Sequence, residues 1–253
     1  TVDLTPPTAP TAIVLLDDTG LIRGTITSGV PTDASQPILA GTGEPGGTIT
    51  IYDNGVAIGT TTVLPNGTWS VTPGGPLPDG THSITVTETD AAGNQSTASE
   101  PIIFTVDTTP PSAPGNLVVS NDGGTISGIG EAGSTVTIRE GDFTLGTVVV
   151  DSQGNFSLTL SPPRINGEIL TADATDTAGN TSPTTSAAAP DITPPQIPII
   201  VSVIDDVQAT TGPVGPNGLT NDRAPTINGT GEAGSTITIS NGSDVLGTVV
   251  VPQ

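Results

Sequence analysis

Short runs in which threonine or serine alternates with an aliphatic residue recur along the whole chain. Ser83-Ile84-Thr85-Val86-Thr87, Thr135-Val136-Thr137-Ile138 and Thr236-Ile237-Thr238-Ile239 are three of them. A period of two with branched residues on one side predicts half-buried β-strands. Clusters of Gly, Pro, Asn and Asp break these runs about every 8 to 12 residues, the spacing of an all-β sandwich. No stretch keeps helical periodicity over three turns. The expected fold class is therefore all-β.

Internal repetition sets the organisation. Asp3-Leu4-Thr5-Pro6-Pro7 returns as Asp107-Thr108-Thr109-Pro110-Pro111 and as Asp191-Ile192-Thr193-Pro194-Pro195. Gly41-Thr42-Gly43-Glu44-Pro45-Gly46 returns as Gly128-Ile129-Gly130-Glu131-Ala132-Gly133 and Gly229-Thr230-Gly231-Glu232-Ala233-Gly234. Asp90-Ala91-Ala92-Gly93-Asn94 returns once, as Asp176-Thr177-Ala178-Gly179-Asn180. These markers divide the chain into tandem units at 1–106, 107–190 and 191–253. Units one and three align without a gap at an offset of 188, whereas unit two lacks 17 residues around the counterparts of Asp17, Asp18 and Asp33. Unit three stops before any counterpart of residues 66–106, which predicts completion by further chain or by a neighbour. The opening Thr1-Val2-Asp3, without an initiator methionine, likewise reads as the start of a segment of something longer. Trp69 and Phe156 align at an offset of 87 and are the expected aromatic anchors of two cores.

Composition sharpens this picture. The 253 residues hold 33 Gly, 25 Pro, no Cys and no Met, with 25 acids against 4 basic residues for a net charge of −21. So acidic a chain has no surface for phosphate neutralisation, which argues against a nucleic-acid partner. No apolar run reaches about 18 residues, so membrane insertion through a helix is not expected. Without cysteine there is no disulfide framework, thiol nucleophile or Cys-ligated zinc.

Together the D-x-T-P-P linker, the G-T-G-E-[PA]-G turn, the stretch Asp79–Asn94 and the Asp pair at 17 and 18 resemble the bacterial Ig-like repeats of giant biofilm-associated and type I secreted adhesins of Gram-negative bacteria. The resemblance spans essentially the whole chain. It implies tandem immunoglobulin-like β-sandwiches in an elongated rod, displayed outside the cell at the bacterial surface. It implies calcium near the domain junctions. The implied partners are other repeats of the same parent chain, homotypic cell–cell contacts, and abiotic or host surfaces.

Among motifs that could carry chemistry, the three G-x-G-x-x-G strings lead into a second strand rather than a helix. They read as turns and not as dinucleotide loops. His82 is the single histidine and is expected on a strand surface. No serine has a nucleophile-elbow setting, so the chain is not expected to be an enzyme. The Asn-x-Ser/Thr strings at 66, 94, 155, 180, 228 and 241 read as turn residues.

The acids fit calcium best, since Ca²⁺ takes six to eight oxygen ligands. Asp17-Asp18 and Asp205-Asp206 place adjacent carboxylates, which repel unless a cation or solvent compensates. Asp33, Asp222 and the linker acids Asp3 and Asp191 complete the candidates around them. At the junction of units two and three, Asp176 and Asn180 are expected to meet Asp191, Asp205 and Asp206. Weaker or no calcium is expected between units one and two, because unit two brings no Asp pair. The competing reading of these acids is solvated loop carboxylates, with Gly179 and Asn180 shaping a turn.

A sandwich of about 100 residues spans roughly 35–45 Å, given strands of six to eight residues at about 3.3 Å each. Proline-rich linkers restrict bending between such units. The leading expectation is thus a structural stalk and adhesion array. A glycan- or host-protein-binding module and an Ig-like spacer of a secreted glycosidase are the alternatives. The scarcity of aromatics disfavours the binding module.

Overall fold

The computed structural model describes residues 2–209 and 211–253, and every regular element among them is a strand. Two compact units are present, 1–191 and 192–253.

The first holds two sandwiches with separate cores. In the first sandwich, β1 (Thr11–Asp17), β2 (Gly24–Thr25), β4 (Ile38–Thr42) and β7 (Thr68–Val71) form one sheet in the order β2-β1-β4-β7. The facing sheet runs β3-β9-β8-β5-β6, from β3 (Pro31–Thr32), β5 (Thr48–Asp53), β6 (Val56–Thr62), β8 (Gly80–Thr89) and β9 (Ile102–Val106). The second sandwich has seven strands: β10 (Gly115–Val119), β11 (Thr125–Ile129), β12 (Thr135–Glu140), β13 (Phe143–Val149), β14 (Asn155–Thr159), β15 (Ile169–Thr175) and β16 (Thr185–Ala188). They pair as β10-β11-β14 and β13-β12-β15-β16. The two extra strands of the first sandwich, β2 and β3, lie in the acid-bearing stretch that the second lacks.

Alternation decides which side chains face the core. Ile49 and Ile51 of β5 are buried between exposed or half-buried threonines, and Val136 and Ile138 repeat this in β12. Trp69 and Phe156 anchor the two cores. Each lies across the ladder from a glycine, Gly41 or Gly128. A Cβ on Gly41 would sit 2.5 Å from the Trp69 ring, and one on Gly128 2.7 Å from the Phe156 ring. The first glycine of the G-x-G-x-x-G string therefore seats an aromatic, and the last one turns the chain between β4 and β5 with φ near +87° at Gly46.

The second unit repeats the start of the first. It comprises β17 (Ile199–Asp205), β18 (Gly212–Pro213) and β19 (Thr226–Thr230) in one sheet, with β20 (Thr236–Asn241) and β21 (Asp244–Val250) as a hairpin. Asp205 pairs with Gly212 as Asp17 pairs with Gly24.

Candidate functional site: carboxylates at the junction of the first two sandwiches

β1 carries the chain away from the first linker. At about 3.3 Å per residue, its far end lies roughly 20 Å from its start. Asp17 is the last residue of β1 and so sits beside the next linker rather than its own. β3 fixes the rest of the stretch there, because it pairs in parallel with β9, the strand that leads into Asp107. The Asp107 amide donates to the Thr32 carbonyl at 2.9 Å.

The pleat separates the two members of the Asp pair. Asp17 is buried and Asp18 exposed, and Asp205 and Asp206 divide in the same way. Adjacent residues on a strand point to opposite faces, so each expected pair is not a joint ligand set. What approaches Asp17 instead is Asp33. The Thr19 hydroxyl donates to Oδ1 of Asp17 and reaches Oδ1 of Asp33, both at 3.1 Å. Asp17 Oδ1 also accepts the Thr19 amide at 2.9 Å, and its Oδ2 accepts the buried Thr32 hydroxyl. Burial pushes the Asp33 carboxyl above its usual range; the Thr19 hydrogen bond opposes this and the nearby Asp17 charge adds to it. Asp33 lies directly over Gly20, whose φ is +56° and where a Cβ would fall 1.8 Å from Oδ2. Gly20 thus opens the space that the carboxylate fills.

The second sandwich closes this site from the other side. The Asp33 amide donates to the Ala178 carbonyl at 3.2 Å. Ala178 is 1% exposed, while its counterpart Ala92 at the start of the first sandwich is exposed. Asp176 Oδ1 accepts the amides of Ala178, Gly179 and Asn180 at 2.8–2.9 Å, and its Oδ2 accepts the Asn180 side-chain amide at 2.9 Å. That same amide donates to the Asp107 carbonyl at 2.8 Å. The first sandwich uses the motif identically, with Asn94 bonded to Asp90 at 2.8 Å and to the Asp3 carbonyl at 3.2 Å. Hydrogen bonding from Asn94 holds the Asp90 carboxyl below its usual range. The D-x-A-G-N loop is thus a self-capped turn that grips the linker carbonyl just before Thr-Pro-Pro.

These contacts correct the expected grouping. Asp176 and Asn180 follow β15, while Asp191 bridges to Asn166, before β15 begins. A seven-residue strand separates the two sets by roughly 20 Å, so the loop meets Asp107 and Asp33 and not Asp191. Asp17 and Asp33 of the first sandwich also lie at its junction with the second, where weaker or no calcium was expected because unit two brings no Asp pair. Asp3 is exposed, with its carboxylate accepting the Thr5 amide at 3.0 Å. In the second unit Asp205 accepts the Thr220 hydroxyl at 2.7 Å and the Val207 amide at 2.9 Å, and Thr220 also accepts the Asp222 amide at 2.9 Å. The Thr220 hydroxyl, then the Val207 amide, hold Asp205 below its usual range.

Thr32 and Thr220 cap Asp17 and Asp205 without any local sequence motif. A hydroxyl 15 residues from the acid it caps carries no local motif; its one signal was recurrence at the offset of 188. His82 is buried, not on a surface, with both ring nitrogens engaged. The alternation His82, Ile84, Val86 along β8 puts it on the inner face, which corrects the expected surface position.

The donor set at the junction is all oxygen: two carboxylates, two hydroxyls and backbone carbonyls. That chemistry suits a hard cation such as Ca²⁺. Among the described residues no three acidic or histidine side chains converge on a point that could hold a metal. Asp17 and Asp33 therefore fit as part of a site that water or backbone oxygens would have to complete.

Linked two-sheet sandwiches of mostly antiparallel strands, each with its own core, have the architecture of immunoglobulin-like repeat domains. Residues 6–108 match the family described as bacterial Ig-like domain, and residues 110–191 the family described as bacterial Ig domain. The chain belongs to the bacterial Ig-like domains through these two repeats. No curated protein matches it. Among solved structures it is similar to a biofilm-associated protein's BSP domain, with 26% identity over 66% of this chain and 29% of that one, at a TM-score of 0.31. It thus spans under a third of that chain. A structure concerned with host cell surface retention of a 1.5-MDa bacterial ice-binding adhesin matches at 23% identity over 80% of this chain and 71% of that one, with a TM-score of 0.32. A tetra-tandem repeat from the extending region of a large adhesion protein matches at 20% identity, over 73% of this chain and 61% of that one, also with a TM-score of 0.32.

Proposed function

We propose that the chain is a spacer segment of a bacterial surface adhesin, working outside the cell as part of a stiff stalk. The observation that carries this reading is the double grip on Asp107. Its amide is bonded to Thr32 of the sandwich before it and its carbonyl to Asn180 of the sandwich after it. A linker gripped from both sides and followed by two prolines has little freedom to bend. Length and stiffness are what a stalk supplies. Its neighbours on this reading are further repeats of the same parent chain, and its wider contacts are other cells or abiotic and host surfaces.

A calcium ion at Asp17 and Asp33 is the second element of the proposal. Both carboxylates approach one hydroxyl, and among the described residues no cationic side chain pairs with either. Bound Ca²⁺ would supply the missing positive charge, while Thr19, Thr32 and junction carbonyls offer neutral oxygens. Calorimetric titration of the intact chain with Ca²⁺, with Mg²⁺ as the control, tests this. Binding that disappears in Asp17→Asn and Asp33→Asn supports the site. No heat with wild type, or unchanged binding in both variants, refutes it. The stalk itself is tested separately by scattering: a maximum dimension that grows by a constant increment per repeat supports it, and a compact folded-back shape refutes it.

A further inference from the structure

The first and last strands of a stalk domain are the ones that tension pulls, and the two sandwiches hold theirs differently. In the first sandwich β1 lies between β2 and β4, and β9 lies between β3 and β8. Both terminal strands are thus interior to their sheets. In the second sandwich β10 pairs with β11 and β16 with β15, so among the described residues both terminal strands are sheet edges.

The acid-bearing stretch makes this difference, because it supplies β2 and β3. Against the end of β1, Thr25 lies opposite Leu16 and Gly24 opposite Asp17, and the Ile26 amide donates to the Leu15 carbonyl at 2.9 Å. A few residues on, the same stretch crosses to the other sheet. There Pro31 and Thr32 run parallel to Thr105 and Val106, and the Thr32 carbonyl takes the Asp107 amide at 2.9 Å. One short segment therefore straps the first strand to the last across both sheets. Asp79 adds a hold just beyond β9. Its carboxylate accepts the Thr108 amide at 3.0 Å, the Thr108 hydroxyl at 2.7 Å and the Thr109 hydroxyl at 2.9 Å.

Tension pulls β1 by its start and β9 by its end, in opposite directions along the strands. Ladder bonds run across the strands, so this pull loads them in shear and they must break together. β9 cannot slide without losing its ladder to β8, from Gly80–Val106 to Ile84–Ile102, and its bonds to β3 at the same moment. β16 is held along one side. Its ladder to β15 continues only through the Ala189 amide on the Glu168 carbonyl at 2.8 Å and the Gly167 amide on the Pro190 carbonyl at 3.3 Å.

We propose that residues 18–33 form a force lock, which makes the first sandwich the stronger under tension and leaves the second to yield first. The inference rests on the stalk reading for its purpose, since a load-bearing segment is pulled in this way. A yielding sandwich lengthens the stalk under load while its locked neighbour stays folded.

Stretching the intact chain by its two ends at constant force tests the lock, in EDTA so that no bound cation contributes. At about 3.3–3.6 Å per extended residue, less a folded length of about 40 Å, the second sandwich lengthens by roughly 200–230 Å and the first by roughly 280–310 Å. The unit at 192–253 has fewer residues, so its step is shorter than either. Each further backbone bond that must break with the rest slows forced unfolding roughly two- to tenfold, so the 280–310 Å step should be at least about tenfold slower than the 200–230 Å step. Asp107→Pro removes the amide that Thr32 accepts and keeps the carbonyl that Asn180 holds. It should speed the longer step roughly two- to tenfold and leave the shorter one unchanged. A longer step as fast as the shorter one in wild type, or an unchanged longer step in folded Asp107→Pro, overturns the proposal. The wild-type traces decide the order even where the variant does not fold. A compact, folded-back shape in scattering would refute the stalk without touching the order of the two steps.

Discussion

Replacing Thr32 by valine keeps the shape of the side chain and removes one hydroxyl. That hydroxyl donates to the buried Asp17 carboxylate and accepts the Ala34 amide at 3.2 Å. Thr32 is 4% exposed and Asp17 7%, so water cannot readily replace the lost partner. A hydrogen bond to a charged group contributes about 1.5–3 kcal/mol and a neutral one about 1 kcal/mol, so the loss amounts to roughly 2–4 kcal/mol. The single tryptophan, Trp69, lies in the core of the first sandwich and makes urea unfolding of that sandwich visible by fluorescence alone. With m of about 1–2 kcal/mol/M, the midpoint should fall by roughly 1–4 M at unchanged m. The same substitution at Thr220 should lower the stability of the second unit in the same direction, because Thr220 caps Asp205 in the same way. A Thr32→Val midpoint within about 0.3 M of wild type would mean that Asp17 is solvated and that the cap contributes nothing.

Gly41→Ala should cost about 1–3 kcal/mol and blue- or red-shift the emission of Trp69, since its methyl would overlap the indole; an unchanged spectrum and midpoint would refute that packing. Glu88 is 1% exposed, and burial, then the Glu44 charge, raises its carboxyl above the ordinary range, with the Glu44 amide bonded to it at 2.7 Å opposing the rise. A raised acid binds more protons folded than unfolded, so Glu88→Gln should be more stable than wild type at pH 7 and lose that advantage as pH falls through the folded value toward 4.3. Melts of the two proteins that differ by a constant amount at every pH would contradict it. Asp79 is held below its ordinary range, first by the Thr108 hydroxyl and then by that of Thr109. Asp79→Ala should therefore speed amide exchange at Thr108, and wild type should approach the variant only as pH falls below about 3.9, where the anchor protonates.

The alternation of threonine with aliphatic residues marks β8, β12 and β20, because a sheet with one buried face leaves a period-two record. The junction was legible only in part. The sequence marks Asp17, Asp33, Asp107, Asp176 and Asn180, but which of them meet depends on where each strand ends. A motif after an odd strand and a motif after an even one lie at opposite ends of the same sandwich. The parallel pairing of β3 with β9, which brings Thr32 to Asp107, has no local signature at all. The splitting of Asp17 from Asp18, in contrast, was readable once β1 was known to run through Asp17. The same pleat that buries Leu15 buries Asp17 and turns Asp18 outward.

On the proposed reading, a cation bound at Asp17 and Asp33 would tighten the junction between the first two sandwiches. The chain has no cysteine, so Leu64→Cys and Ser152→Cys place two spin labels on exposed positions near corresponding turns of the two sandwiches. Pulsed dipolar distances between them, measured in EDTA and then in millimolar Ca²⁺, report the freedom of the linker. The predicted result is a single distance whose distribution narrows with Ca²⁺ and does not narrow in Asp33→Asn. A distribution that is equally broad with and without the ion would contradict the account.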